Sequence, residues 1–164
     1  VKGNGAPREH EMGRTDLTRS MNNTDNNDQN LCGCLIRDVR NAATENTEHH
    51  GRNTSIIKRD GSLSLSPAYD IAPMIMDGDV ISVATVWSGK HQRHNENPDY
   101  SAIIEEFAVD ASAVLSNFRA NLSELCKLNE TARELGLPAP TLHHFRIDLL
   151  RPQKVLEHVS SAYD

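Results

Sequence analysis

Apolar residues recur at helical spacing in two parts of the chain. Between residues 31 and 46 they fall every three or four positions, beginning at Leu31 and Leu35. This spacing predicts an amphipathic helix. The same spacing returns between residues 99 and 161 and predicts a helical tail. Asp99 stands at its start, where a carboxylate can cap a helix by accepting the first backbone N–H groups.

The helical tail is too long for one straight helix. Its apolar stripe continues from Ile103 to Leu135, and we expect one bent helix or two helices broken near residues 117–123. Gly136 suits the position just after a helix, because glycine adopts positive φ without a Cβ penalty. A last helix, with Phe145 on its apolar stripe, is expected to begin at Thr141. Pro152 should kink this helix or start a new one.

A different pattern lies between the two helical regions. Residues 54–59 alternate roughly, and residues 62–66 alternate between Ser and Leu. Asp60 and Gly61 separate these runs, and Asp-Gly between alternating apolar residues is a strong hairpin signal. The predicted fold is therefore mainly α with a small antiparallel β-hairpin.

Two polar segments carry little to bury. Residues 1–30 are rich in Asn, Asp, Gly and Thr and show no periodicity, which predicts a disordered leader before a domain at 31–164. Residues 88–98, which include His91, are predicted to form an exposed loop. Trp87, just before them, is expected to pack on a helix.

The flanks of the hairpin carry side-chain oxygen atoms. Glu48 and Asn53 precede the first strand, and Asp70 follows the second between two prolines. Because a hairpin brings its ends together, Asn53 and Asp70 are expected to converge. Carboxylate and amide oxygens are hard ligands of the kind that Mg²⁺ prefers. Taken singly, each of these residues is also typical of a solvated loop or a turn.

These residues stand in two motifs, TEHHGRNTS and LSPAYDIAP, within residues 46–73. Together they resemble the C-terminal lobe of the HipA family of serine/threonine kinases, which carries an N-T-D-x-H-x-x-N motif ahead of S-P-x-Y-D. The segments that follow are similar to the YjjJ-type (HipH-type) branch. The resemblance implies a kinase-like C-lobe from about residue 31 onward, transfer of the ATP γ-phosphoryl group, and Mg²⁺ held by Asn53 and Asp70.

The resemblance also assigns the remaining site residues. Glu48 stands where the family has its proton-accepting Asp, and His50 and Arg52 match positions that are basic in the family. Glu is one methylene longer than Asp, and a misplacement of about 1 Å can cost on the order of 100-fold in rate. We therefore expect metal binding to be better preserved than turnover.

No segment of the sequence is similar to a glycine-rich phosphate loop or to a strand with the phosphate-binding lysine. We therefore expect the nucleotide-gripping N-lobe to be missing, and the chain to be a truncated or remnant kinase lobe, weak or inactive alone. Mg²⁺ and ATP are the cofactors that the resemblance implies, and we expect this chain to bind ATP poorly by itself. The alternatives are a non-catalytic pseudokinase module of toxin–antitoxin type and a decayed reading frame. Its expected partners are an antitoxin-like DNA-binding protein or a separate N-lobe.

Composition restricts the binding partners and the cellular location that we expect. The formal charge of −6 argues against direct binding to nucleic acid phosphates. No run of about 18 apolar residues predicts a membrane span, and no apolar signal segment opens the chain, so a cytoplasmic protein is expected. Cys32 and Cys34 are too close in sequence for the usual zinc spacing, and no second cysteine pair follows.

Overall fold

A computed structural model describes residues 18–19, 26–46, 54–73, 87, 91 and 98–161. Six helices and one antiparallel pair of strands occur between residues 26 and 161 of these ranges, which confirms the predicted fold class. Their order is α1 (Asn27–Ala43), β1 (Ile56–Arg59), β2 (Ser62–Leu65), α2 (Tyr100–Phe107), α3 (Ala111–Leu125), α4 (Leu128–Glu134), α5 (Ala139–Leu142) and α6 (Arg151–Ser161). Within the same ranges, no helix combines the length and apolar character needed to cross a bilayer.

Helix α1 is the centre of the hydrophobic core. Its Leu31, Leu35 and Val39 are at most 1% exposed, as the apolar spacing predicts. They pack against side chains from α2, α3 and α6, so burial of one helical stripe organises the whole helical part. The main partners are Tyr100, Ile103, Ile104, Val114, Phe118, Leu122, Val155 and Val159.

The first turn of α1 lies before the expected domain boundary. The helix begins at Asn27, so a boundary between residues 30 and 31 falls inside it. Asn27 and Asn30 are buried, and the Asn27 amide donates to the carbonyl of Phe107 at 3.5 Å. These asparagines are held by polar contacts, which hydrophobic periodicity does not reveal.

The helical tail breaks at other places than residues 117–123. α3 runs through that stretch without interruption, and the breaks lie at residues 108–110 and 126–127. The first break is fixed by caps: Asp110 accepts from the Ala113 N–H, while Asp28 of α1 accepts from the Val109 and Asp110 N–H groups. The predicted cap at Asp99 is confirmed, because its carboxylate accepts from the Ala102 N–H at 3.1 Å.

At the end of the helical tail, the predicted helix boundaries are found but part of the predicted burial is not. Gly136 has φ +73°, and the Leu137 N–H donates to the Ala132 carbonyl, which confirms glycine as the helix stop. Pro152 is the second residue of α6 and so starts a new helix. However, Leu135 is 82% exposed and Phe145 is 89% exposed, so these two positions of the predicted stripe are not core. Thr141 lies inside the short α5, whose predicted extension through Phe145 is wrong.

The environment of His91 differs from the predicted exposed loop. His91 is 3% exposed and lies between the rings of Trp87 and Phe107, with its Nε2 2.7 Å from a Glu106 carboxylate oxygen. Trp87 is also buried, and its indole N–H donates to Asp38 of α1 at 2.9 Å, so its predicted packing on a helix is confirmed.

Candidate functional site

The polar face of α1 holds the second strand of the hairpin. The Asn30 side chain accepts from the Leu65 N–H at 2.8 Å and donates to the Leu63 carbonyl at 3.4 Å. One turn earlier, the Asn26 amide donates to the Ser62 hydroxyl at 2.7 Å. These amides bond to the outer edge of β2, where no other strand of the described residues pairs.

The contact continues along the helix toward the end of the strand. At Gly33 a Cβ atom would lie 3.2 Å from a methyl carbon of Leu65, so glycine allows the helix and strand to approach closely. Arg37 then donates to the carbonyl of Ser66. Residues 26–37, which comprise the N-cap and the first part of α1, therefore run beside residues 62–66 in the same direction.

The hairpin turns at the predicted position. Asp60 and Gly61 both have positive φ, +52° and +84°, which is the geometry of a two-residue type I′ turn. Beyond the strands, the Ser66 N–H donates to the Ser55 carbonyl at 2.8 Å. The hydroxyls of Ser55 and Tyr69 share a hydrogen bond of 2.6 Å, so the ends of the hairpin are joined.

Asp70 follows directly and is tied to the end of α1. The buried Asn46 side chain donates to the Asp70 carbonyl at 3.0 Å. Asp70 has φ +75°, in the left-handed region that Asp tolerates better than most residues. Its side chain is exposed, so the α1 end and the hairpin end together present a carboxylate at the surface.

Asp70 is the one predicted site residue among the described residues. Glu48, His50, Arg52 and Asn53 lie outside them, so the convergence of Asn53 and Asp70 stays a prediction. The structure does describe the residues on either side of this segment. Asn46 hydrogen bonds to Asp70 and Ser55 hydrogen bonds to Tyr69, so both flanks contact the same two-residue stretch.

Within the described ranges, no three or more His, Cys, Asp or Glu side chains are grouped as a metal site requires. A magnesium site needs no such group, because Mg²⁺ usually takes one or two protein oxygens and fills its remaining positions with phosphate and water. An exposed carboxylate at Asp70 fits this chemistry.

Comparison with protein-family models identifies the family to which the chain belongs. The family model of the HipA-like C-terminal domain matches residues 5–135. The chain belongs to this family. The resemblance inferred from the two sequence motifs is thereby confirmed at the level of the HipA-like C-terminal domain, and its assignment to the YjjJ-type branch stays a prediction.

The residues that match the family model differ from the range expected from the sequence motifs. It begins well before residue 31 and ends at residue 135, just before the Gly136 helix stop. α6 lies beyond the match, yet its Val155 and Val159 belong to the core. No curated protein sequence matches the chain.

Sequence reasoning missed the residues that hold the site, namely Asn26, Asn30, Arg37 and Asn46. A signal for three of them was present, because positions 26, 30, 33 and 37 repeat every three or four residues on a face other than the apolar stripe. A polar or glycine stripe of this kind, in a helix that precedes a hairpin, indicates a second packing surface.

Proposed function

We propose that the chain is the phosphoryl-transfer half of a HipA-like serine/threonine protein kinase, remnant or truncated and weak or inactive by itself. The main support for this proposal is that the chain belongs to the HipA-like family and that Asn46 and Ser55, which flank the first motif, both hydrogen bond to residues 69–70 of the second. In this proposal Asn53 and Asp70 are the Mg²⁺ ligands, and Glu48 occupies the position of the proton acceptor.

Chain geometry supports the pairing of Asn53 with Asp70. Two residues of chain span at most about 7 Å, so the Cα atom of Asn53 lies within that distance of Ser55. The Ser55 hydroxyl contacts Tyr69, the neighbour of Asp70, at 2.6 Å. In the proposal, the side chains of Asn53 and Asp70 approach from these two ends and bind one divalent ion together.

The proposed chemistry is mainly positioning. Bound Mg²⁺ would neutralise charge on the β- and γ-phosphates of ATP. Glu48 would accept the proton of the substrate hydroxyl, and the basic side chains of His50 and Arg52 would lie next to developing negative charge. Asn46 and Arg37 act through the backbone, because they fix the carbonyls of Asp70 and Ser66.

Weak activity of the chain alone follows from two features of the sequence. Glu48 is longer than the family Asp by one methylene, which can cost on the order of 100-fold in rate. In addition, no segment of the chain is similar to the phosphate-gripping elements of a nucleotide-binding lobe. Transfer at full rate would need such a lobe from a partner or from another part of a longer protein.

The test is calorimetric titration of the full chain with Mg²⁺ and ATP, for the wild type and for Asp70→Asn. Loss of a metal carboxylate should weaken Mg²⁺-dependent ATP binding by at least about tenfold, because a charge-assisted ligand is worth about 1.5–3 kcal/mol. Asn also tolerates positive φ, so the backbone at residue 70 is preserved.

Asp60→Asn is the matched control. It removes the same charge at the opposite end of the same hairpin, at a φ of +52° where Asn is favoured. Equal Mg²⁺–ATP affinity in the wild type, Asp60→Asn and Asp70→Asn would contradict the metal site.

The second candidate is a pseudokinase module that binds a partner, such as an antitoxin-like DNA-binding protein, without transferring phosphate. The observation that favours it is Glu48 in the place of the family Asp. Glu48→Asp, assayed together with a HipA-type N-lobe and Mg²⁺–ATP, distinguishes the two. Transfer by the wild-type chain supports a kinase, while transfer that appears only with Glu48→Asp supports a pseudokinase.

A further inference from the structure

Two arginines lie side by side on the hairpin-facing side of α1. Arg37 and Arg40 are three residues apart, which puts them on neighbouring positions of one helix face. Both are partly buried. Burial lowers the pKa of each guanidinium, and the charge of Arg37 lowers the pKa of Arg40 further. The two positive charges therefore destabilise one another in a partly desolvated place.

No carboxylate of the described residues neutralises this pair. Arg37 donates to the Ser66 carbonyl and lies near the thiol of Cys34 and the phenol of Tyr69. Arg37 Nη1 and Arg40 Nε are buried atoms without a hydrogen-bond partner among the described residues. Arg146 differs, since it forms an ion pair with Glu45 at 2.9 Å.

We propose that Arg37 and Arg40 form a binding site for a phosphate monoester, belonging either to a nucleotide or to a phosphorylated side chain. Two like charges that are partly withdrawn from water, with no described carboxylate to neutralise them, are costly, and an anion that accepts from both guanidiniums offsets that cost. Guanidinium groups match phosphate oxygens with paired N–H donors. A phosphate monoester carries about −1.5 to −2 charges at pH 7, which balances two arginines better than a single carboxylate does.

The surroundings offer room for the rest of such a ligand. Arg37 lines a cavity of about 680 Å³ between α1, β2 and α3. Its polar lining includes Ser64, Asn117 and Asn121, which can bond to a sugar or a peptide. The acid in the lining, Asp28, already accepts from two backbone N–H groups at residues 109 and 110. The site would lie on the same side of α1 as the segment that leads to Asp70.

The first test is calorimetric titration of the full chain with inorganic phosphate in EDTA, so that no divalent ion takes part. Arg40→Gln should weaken phosphate binding by about tenfold or more, because it removes a charge-assisted donor. The phosphate affinity of Arg40→Lys should fall between those of the wild type and Arg40→Gln, since lysine keeps the charge but loses the paired N–H donors of the guanidinium. Arg133→Gln is the matched control: Arg133 is exposed on α4 and contacts Asn129, so its loss should leave phosphate binding unchanged.

Thermal unfolding gives an independent readout. Without phosphate, Arg40→Gln should have a melting temperature equal to or above that of the wild type, because repulsion from Arg37 is relieved. Phosphate should raise the melting temperature of the wild type and not that of Arg40→Gln. Equal loss of binding in Arg40→Gln and Arg133→Gln, or an equal phosphate-induced shift in the wild type and Arg40→Gln, would overturn the proposal.

Competition identifies the source of the phosphate. Stronger displacement by AMP than by a phosphoserine peptide assigns a nucleotide, the reverse assigns a phosphorylated side chain, and either order supports the site. The outcome is separable from the kinase proposal. Asp70→Asn should keep phosphate binding in EDTA while losing Mg²⁺-dependent ATP binding. Intact Mg²⁺–ATP binding by a wild-type chain that does not bind phosphate in EDTA would overturn this inference alone.

Discussion

The two faces of α1 hold the molecule together by different kinds of interaction. On one face, Leu31, Leu35 and Val39 are buried against three other helices. On the other, Asn30 and Arg37 hydrogen bond to the main chain of the hairpin and its extension. One face removes apolar surface from water, and the other bonds to the edge of β2 with which no described strand pairs.

This difference has a consequence for the site. Apolar burial is non-directional and contributes most of the stability, so it tolerates small shifts of one helix on another. Hydrogen bonds to backbone groups are directional, and they fix which residue of the strand lies beside which residue of the helix. The position of Asp70 therefore depends on the polar face, while the persistence of the fold depends on the apolar face.

The largest expected effect comes from the apolar face. Leu35 has no exposed surface, and Leu35→Ala should lower the free energy of unfolding by about 2–5 kcal/mol through lost burial and the cavity left behind. Urea denaturation measures this loss. The hairpin and the helices should unfold together, because α1 contacts both.

Leu135→Ala is the matched control for that substitution. Leu135 lay on the same kind of predicted apolar stripe but is 82% exposed, so its loss should change the free energy of unfolding by no more than about 0.5 kcal/mol. A similar loss in the two variants would mean that the core does not centre on α1.

The next effect tests the polar face. Asn30→Ala leaves the Leu65 N–H without its described side-chain partner and removes one of the two amides that donate to the Leu63 carbonyl. The free energy of unfolding should fall by about 1–2 kcal/mol. The decisive measurement is amide hydrogen exchange. Exchange at Leu65 should accelerate more than exchange in α3, because the change acts on the strand edge.

Asn121→Ala serves as its control, since it makes the same replacement on an exposed helical surface. The Asn121 side chain bonds to Asn117 of its own helix, so the alanine should be neutral or slightly stabilising through helix propensity. If both variants unfold with the same free energy, the Asn30 bonds to β2 contribute nothing.

Local signals predicted much of the fold. The hairpin followed from Asp60-Gly61, because the need for positive φ is a property of two adjacent residues. The caps at Asp99 and the stop at Gly136 are equally local. Burial was less predictable: Leu122 and Leu135 continue one stripe, yet the first is fully buried in the core and the second is 82% exposed.

The candidate site likewise has one residue that local sequence signals predicted and others that they did not. Asp70 was predicted from its motif and its position after the hairpin, and the structure describes it there, joined to Asn46. The asparagines that hold β2 were not predicted, because their partners are backbone groups more than 30 residues away in sequence. An amide in an Asn-rich segment has the same local appearance whether it is solvated or bonded across such a distance.

Two cysteines allow both faces of α1 to be compared in a single measurement, with the smallest expected effect. Cys32 is buried in the core, whereas Cys34 is partly exposed on the side of Arg37. Burial raises the pKa of Cys32, so its thiol is mostly protonated and unreactive at pH 8. A maleimide added at pH 8 should label Cys34 well before Cys32, as peptide mass mapping would reveal.

The pH dependence of this labelling has a defined sign. Because the folded-state pKa of Cys32 is raised, its neutral thiol contributes stability below the ordinary thiol pKa, and that contribution is lost as pH rises through the raised value. Labelling of Cys32 should therefore stay limited by opening of the core up to pH 8 and increase in the Leu35→Ala variant. Labelling of Cys34 should instead increase in the Asn30→Ala variant if loosening of the polar face is local. Equal acceleration of both thiols by both substitutions would mean that the two faces of α1 open together.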